Sequence, residues 1–413
     1  MVDFNAMLND FQQQWWLYLS MPLVAASIGY VTKIAAIKMM FLPIEFVGIK
    51  RLKLGWQGVI PSRAEHMARV ACKTMTQRLL KPKDIFSRLD PQRVADEVAK
   101  PLLGMVEEIS HDVMRQYQPG LWEGMPLALR TRLIKRVQNE APNIIKQIFQ
   151  QLKDNIDEVF DLEDMVVKSL TKNKELLNEI FAEVGHAEFR FIRNSGIYFG
   201  AIIGVIQMFT WMLTKSPIIM PLFGGFVGWF TDWLALKMIF RPQYPTKYFF
   251  GLFQWQGLFL KRKAEVSARY GELIAEKILT PTALMDAVIS GPLSDRLFTL
   301  IQREVQIAIE QQSGILQPVV VFAIGSARYM EMKKSASEKV MSYLPATLKH
   351  IEVYATEAMD IRNTIVTKMQ EMSAEEFEQL LRPAFQQDEW KLIAVGAVLG
   401  FLVGELQVQI MLH

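Results

Sequence analysis

The sequence predicts an all-α integral membrane protein, with about four transmembrane helices in two tandem repeats, each repeat carrying a long helical extramembrane domain. Three observations predict it. First, one stretch is written twice: Gly29-Tyr-Val-Thr-Lys-Ile-Ala-Ala-Ile-Lys-Met-Met-Phe-Leu-Pro43 aligns without a gap to Gly228-Trp-Phe-Thr-Asp-Trp-Leu-Ala-Leu-Lys-Met-Ile-Phe-Arg-Pro242, 199 residues on. Self-similarity at a fixed spacing marks a duplicated unit. Second, apolar runs long enough to cross a bilayer alternate with long polar stretches whose apolar residues recur at three and four. Third, 51% of the 413 residues are apolar and mean hydropathy is +0.14, yet 22% are charged, which suits neither an all-membrane nor a fully soluble chain.

Several classes are set aside by composition. A net charge of +3 is too small to argue for a nucleic-acid partner, which needs a clustered basic face. The one cysteine, Cys72, excludes an internal disulfide and a multi-cysteine metal site, and reads as a small buried apolar residue. No two of the five histidines stand three or four residues apart, the spacing of a helical metal pair. The chain has no phosphate loop, nucleophile elbow or dinucleotide-binding turn. No catalytic residue, metal or cofactor is therefore assigned, and an enzyme is not expected.

Residues 1–16 place Phe4, Met7, Leu8, Phe11 and Trp15 at helical spacing among polar residues, which predicts an amphipathic interfacial helix rather than a signal peptide. Trp15, Trp16 and Tyr18 fall where an aromatic belt is expected. Residues 17–41 form the first transmembrane helix, with Lys33 deep in it and Lys38 close enough to the end to snorkel. Residues 194–213 and 218–240 form the second and third, joined by the turn Thr214-Lys-Ser-Pro217, which is short enough only for antiparallel neighbours. Residues 391–412 form the fourth.

The closing helices repeat as well: Gly196, Gly200, Gly204 and Gln207 match Gly396, Gly400, Gly404 and Gln407 at an offset of 200. Glycine at every fourth position lines one helix face and lets a neighbouring backbone approach closely, so each opening helix is expected to pack on its own or the other half's closing helix. Between the membrane helices, residues 42–193 and 241–390 form the two helical extramembrane domains, divided by prolines into several helices each. Each carries a Trp-Gln-Gly triplet early on, at Trp56 and Trp255, followed by Pro61-Ser-Arg-Ala-Glu-His-Met-Ala-Arg69 and Lys261-Arg-Lys-Ala-Glu-Val-Ser-Ala-Arg269.

Residues 42–83 hold nine lysines and arginines against two glutamates, and residues 241–263 hold five against no acidic residue, whereas residues 1–32 hold none. By the positive-inside rule both helical domains face the cytoplasm and both termini lie outside.

The charges mark the candidate sites. Lys33 and Asp232 occupy equivalent positions of the two copies with opposite sign; related by an axis along the membrane normal, they lie at equal depth and can meet. Such a pair locks the halves together or serves a substrate or proton path, and Glu405, opposite Val205 in the other copy, belongs to the same question. Arg63, Arg69, Arg262 and Arg269 are the candidate contacts for anionic lipid headgroups.

The segments Gly228 to Pro242, Trp-Gln-Gly-Leu, Lys-Arg-Lys-Ala-Glu and Gly396-Ala-Val-Leu-Gly-Phe-Leu-Val-Gly404 resemble an uncharacterised bacterial membrane protein family, the YheB/YjiN-like group. That group carries Thr-Asn-Trp-Leu-Ala-Ile-Lys-Met-Leu-Phe-Arg-Pro, Gln-Gly-x-Ile-Pro and a glycine-spaced final helix; here Lys33 and Asp232 stand where asparagine is usual. The resemblance implies a multi-pass protein of the bacterial inner membrane and lends no catalytic residue. The expected role is a scaffold that organises lipids or envelope partners, as a homo-oligomer or with an envelope protein. The alternative is a transporter or channel using Lys33, Asp232 and Glu405.

Overall fold

The computed structural model describes residues 12–49, 51, 54–251, 253–313, 325–382 and 389–412. Phe4, Met7, Leu8 and Phe11 of the expected interfacial helix lie outside the described residues. The long helices are, in chain order, α1 (Trp15–Phe41), α2 (Pro91–Tyr117), α3 (Leu127–Asp154), α4 (His186–Thr214), α5 (Ile219–Phe240), α6 (Ser294–Ser313), α7 (Ser326–Leu348) and α8 (Glu389–Leu412). Short helices join them.

The chain divides into two compact units. One holds Met1–Ala71, Leu170–Tyr270 and Val366–His413, and with them α1, α4, α5 and α8; the other holds Cys72–Ser169 and Gly271–Ile365. The sequence assigns one helical domain to each half, over 42–193 and 241–390, but the second unit draws on both. The reason is the shape of the apolar faces. Helix α2 buries Val94, Val98 and Leu102, α3 buries Ile145, Ile148 and Phe149, and two helices alone leave such stripes half uncovered. Helices α6 and α7 from the other half complete the layer, α6 against α3 and α7 against α2. Polar ties follow: Lys339 reaches Asp112 at 2.7 Å, and Arg88 donates to the Met359 carbonyl at 2.6 Å and to Thr364 at 2.7 Å. Cys72 is buried in this unit, and that burial pushes its thiol up to about 11.

In the first unit α1 packs along α4 and α5 along α8, so each opening helix lies on the closing helix of its own half. Each of the four helices contains a long apolar span, as helices that pack against lipid and one another require. Their interior is layered: Tyr18, Met21, Trp211, Met220 and Val408 form one cluster, and Ala25, Ile28, Ile203 and Val227 the next. Observed ends differ from the expected spans mainly at α4, which starts eight residues before 194 because helix propensity continues through the polar segment from His186. Helices α1 and α5 both stop one residue short of an X-Pro bond, since proline cannot carry the helix on. Leu42–Pro43 and Arg241–Pro242 are both cis.

Beyond each of these prolines the all-α expectation meets a local exception. Strands β1 (Val47–Ile49) and β2 (Leu54–Trp56) pair antiparallel, as do β3 (Thr246–Tyr248) and β4 (Phe253–Trp255). Short runs of β-branched and aromatic residues behind a proline favour extended backbone, and the helical periodicity of the longer stretch conceals them.

Candidate functional site

The geometry of the site begins with glycine. A Cβ on Gly29 would strike the Gly196 carbonyl, and one on Gly196 would strike the Gly29 carbonyl; Gly200 sits likewise on Ala25, and Gly204 on Pro22. The second helix pair has the same seats: Gly228 on Gly396, Gly224 on Gly400, and Gly404 on Met220. Backbone lies on backbone in both pairs, the close approach by which helices associate in lipid.

Two of these glycines also make room for charge. The aliphatic stem of Lys33 passes beside Gly196, and the Asp232 carboxylate lies where a Cβ of Gly396 would stand. Lys33 Nζ then donates to Asp232 Oδ1 at 3.0 Å and to the Thr231 carbonyl at 2.8 Å. Exposure is 0% for the lysine side chain and 4% for the aspartate, so each charge has the other and almost no water. Asp232 Oδ2 is buried without a hydrogen-bond partner among the described residues. Replacing one member would strand the other in an apolar interior, which is far more costly than losing the bond itself.

The remaining candidate positions divide. Glu405 is exposed on the outside of α8 and does not join the buried pair. Gln207 donates to Met220 Sδ at 2.8 Å, while Gln407, its counterpart in sequence, is buried at 7% exposure. Arg69, Arg262 and Arg269 engage carboxylates. Arg69 pairs with Glu65 at 3.0 Å on the surface, and Arg269 pairs with Glu183. Arg262 donates to Glu188 at 2.7 Å and to Glu265 at 2.6 Å, and these contacts, led by the Glu265 hydrogen bond, hold its guanidinium above its ordinary value. Arg63 is exposed at the end of the short helix Val59–Ser62.

Sequence reasoning did not single out the polar residues that fasten the loops to the helix ends. The glutamine of each Trp-Gln-Gly triplet reaches back to the chain just after the proline: Gln57 donates to the Ile44 carbonyl at 2.7 Å and Gln256 to the Gln243 carbonyl at 3.1 Å. The glycine of the triplet lets this loop press on the helix terminus, because a Cβ at Gly58 or Gly257 would meet the backbone of Phe41 or Phe240. Asn178 donates to the Phe41 carbonyl at 2.8 Å. Glu378, only 4% exposed, accepts from Gln243 at 2.7 Å, Arg382 at 2.7 Å and Arg241 at 3.3 Å. The recurrence of Gln in both triplets was the available signal for the first contact; nothing local marks Glu378.

With α1, α4, α5 and α8 each long and apolar enough to cross a membrane, at mean hydropathies of 1.4, 1.6, 1.3 and 1.7, the molecule is an all-α membrane protein. It is similar to UPF0754 membrane proteins of Bacillus cereus strain AH820 and Bacillus anthracis strain A0248, each 28% identical over 149 residues, covering 35% of this chain and 36% of the relative. A UPF0754 membrane protein of Bacillus thuringiensis strain Al Hakam is 26% identical over 149 residues, covering 35% of each chain. The matched region thus spans about a third of the length of these curated relatives. No family model and no solved structure matches the chain. The relatives support an uncharacterised bacterial membrane family, which is the coarser part of the resemblance read from the motifs.

Proposed function

We propose that the chain is a two-repeat scaffold of the bacterial inner membrane, of the YheB/YjiN-like kind, that organises lipids or envelope partners rather than carrying a solute. One observation supports this most: Lys33 and Asp232 neutralise one another at 3.0 Å with side-chain exposures of 0% and 4%. A charge that serves a translocation path must meet water or substrate, and this pair is instead wedged between the helix pairs by Gly196 and Gly396. The matching glycine seats and the matching Gln57 and Gln256 contacts support the repeat reading. The helical unit and the loops carry no proposed catalytic role; their part is contact with an envelope protein or a second copy of the chain. In this reading they face the cytoplasm and both termini lie outside.

The alternative is a transporter or channel using Lys33, Asp232 and Glu405, and one observation favours it: Asp232 Oδ2 is a buried acceptor without a hydrogen-bond partner among the described residues. Reconstitution into proteoliposomes separates the two. The scaffold reading expects no ion or solute flux through the wild-type protein, and expects Lys33→Met with Asp232→Met to remain assembled. A flux that the double variant abolishes while staying assembled would overturn it.

A further inference from the structure

A cavity of about 560 Å³ opens where the last turn of α5 meets the first turn of α8, at the end of the membrane-spanning segments. Its walls carry Trp233, Lys237, Arg241, Arg382, Glu389 and Trp390, together with aliphatic and phenyl groups of the two helices. None of the four arginines singled out in the sequence lines it. We propose that this cavity binds the phosphodiester headgroup of an anionic glycerophospholipid. The assignment deepens the reading of the chain as a lipid-organising membrane protein and rests on it.

Four features argue for that ligand. First, the cations are braced: the buried Glu378 carboxylate holds Arg382 at 2.7 Å and Arg241 at 3.3 Å, with Gln243 on its other oxygen at 2.7 Å. Each guanidinium has five N–H donors, more than one shared carboxylate can engage, so both keep donors for a phosphate. Second, Lys237 lies on the same rim, its Nζ 4.9 Å above the Trp233 ring. Third, among the described residues that line or brace the cavity, Lys237, Arg241 and Arg382 set against Glu378 and Glu389 leave a single positive charge, which a phosphodiester monoanion neutralises. Glu389 meanwhile accepts hydrogen bonds from headgroup hydroxyls. Fourth, Trp233 and Trp390 are 37% and 65% exposed on the outer surface beside the cations, the arrangement that seats an indole at the headgroup level with acyl chains below. An anionic lipid in the adjacent leaflet reaches such a site by lateral diffusion, without leaving the membrane.

Full-length protein in detergent, titrated with phosphatidylglycerol or phosphatidylcholine and followed by native mass spectrometry, tests the site. The wild-type chain is expected to retain phosphatidylglycerol about tenfold better than phosphatidylcholine, and Lys237→Gln/Arg241→Gln/Arg382→Gln to bring that ratio near one. The triple variant strips Glu378 of two partners, so Lys237→Gln is measured alone as well; it is expected to lower the ratio about threefold while the protein stays folded. Lys334→Gln, which removes an exposed charge in the other unit, is expected to leave the ratio unchanged. Equal retention of the two lipids by the wild-type protein, or an unchanged ratio in Lys237→Gln, overturns the assignment. Displacement of the lipid by excess inorganic phosphate overturns its lipid source and reassigns the cations to a soluble anion. Solute flux in proteoliposomes would remove the scaffold reading and leave the lipid ratio untouched, so the two failures are distinguishable.

Discussion

The two helix pairs of the membrane-spanning unit share a backbone frame and differ in what they bury. In α1 and α4 the glycine contact at Gly29 and Gly196 stands beside a lysine stem, and the helix end is fastened by the neutral Asn178 at the Phe41 carbonyl. In α5 and α8 the same contact at Gly228 and Gly396 stands beside a carboxylate, and the corresponding fastening is the charged cluster of Glu378 with Arg241 and Arg382. Backbone-on-backbone packing tolerates no side chain whichever half it is in, so the glycines are kept. The polar groups around that frame have more freedom, and there the halves have taken complementary roles: a cation meets an anion across the bundle, and the second half carries a cavity lined by Arg241 and Arg382 at its rim.

The largest expected effect tests the shared frame. Gly196→Leu and Gly396→Leu each force a side chain into an opposing backbone and a buried charge. Each is expected to cost about 3 kcal/mol or more, read as loss of the folded species in thermal unfolding in detergent. Survival of one variant but not the other would break the equivalence of the two seats. Next comes the charge that divides them. Lys33→Met alone leaves Asp232 buried and unpaired at an expected cost of about 3–5 kcal/mol, and adding Asp232→Met should restore most of it. A double variant no more stable than the single one would sink the locking role.

Smaller effects sharpen the contrast at the helix ends. Glu378→Ala removes the shared acceptor of three donors and leaves two guanidinium groups facing each other, with an expected loss of about 2–3 kcal/mol. Asn178→Ala removes one hydrogen bond and should cost about 1 kcal/mol. Equal losses in thermal unfolding would mean that the charged fastening does no more than the neutral one. The smallest change lies in the other unit. Gly104 is exposed within α2, with no atom within 4 Å of where a Cβ would stand, so Gly104→Ala should stabilise by about 0.5–1 kcal/mol in the same measurement. The sign is opposite to that of Gly196 and Gly396 because at those two, unlike Gly104, a neighbour occupies the place of the missing Cβ.

Much of this was legible in the chain. Apolar length and glycine spacing marked the four membrane helices, because lipid forces every backbone polar group into internal hydrogen bonds and every close helix contact onto small residues. The equivalence of Lys33 and Asp232 pointed to a meeting of charges, and in the folded chain they stand 3.0 Å apart. The candidate arginines were harder to read: basic residues near a membrane look alike in sequence, and whether a given one faces lipid or a carboxylate such as Glu188 depends on a residue tens of positions away.

By itself, then, the sequence determined the all-α membrane class, the glycine faces, and the pair of positions where the halves differ in charge. These are written locally, as length, period and composition. Only the tertiary structure decided that each opening helix packs on its own half's closing helix, that α6 and α7 complete the layer begun by α2 and α3, and that Glu378 draws Arg241 and Arg382 to one cavity wall. The physical reason is common to all three: a partner's identity is fixed by which apolar face or charge remains uncovered after local structure forms, and that depends on residues far apart in the chain.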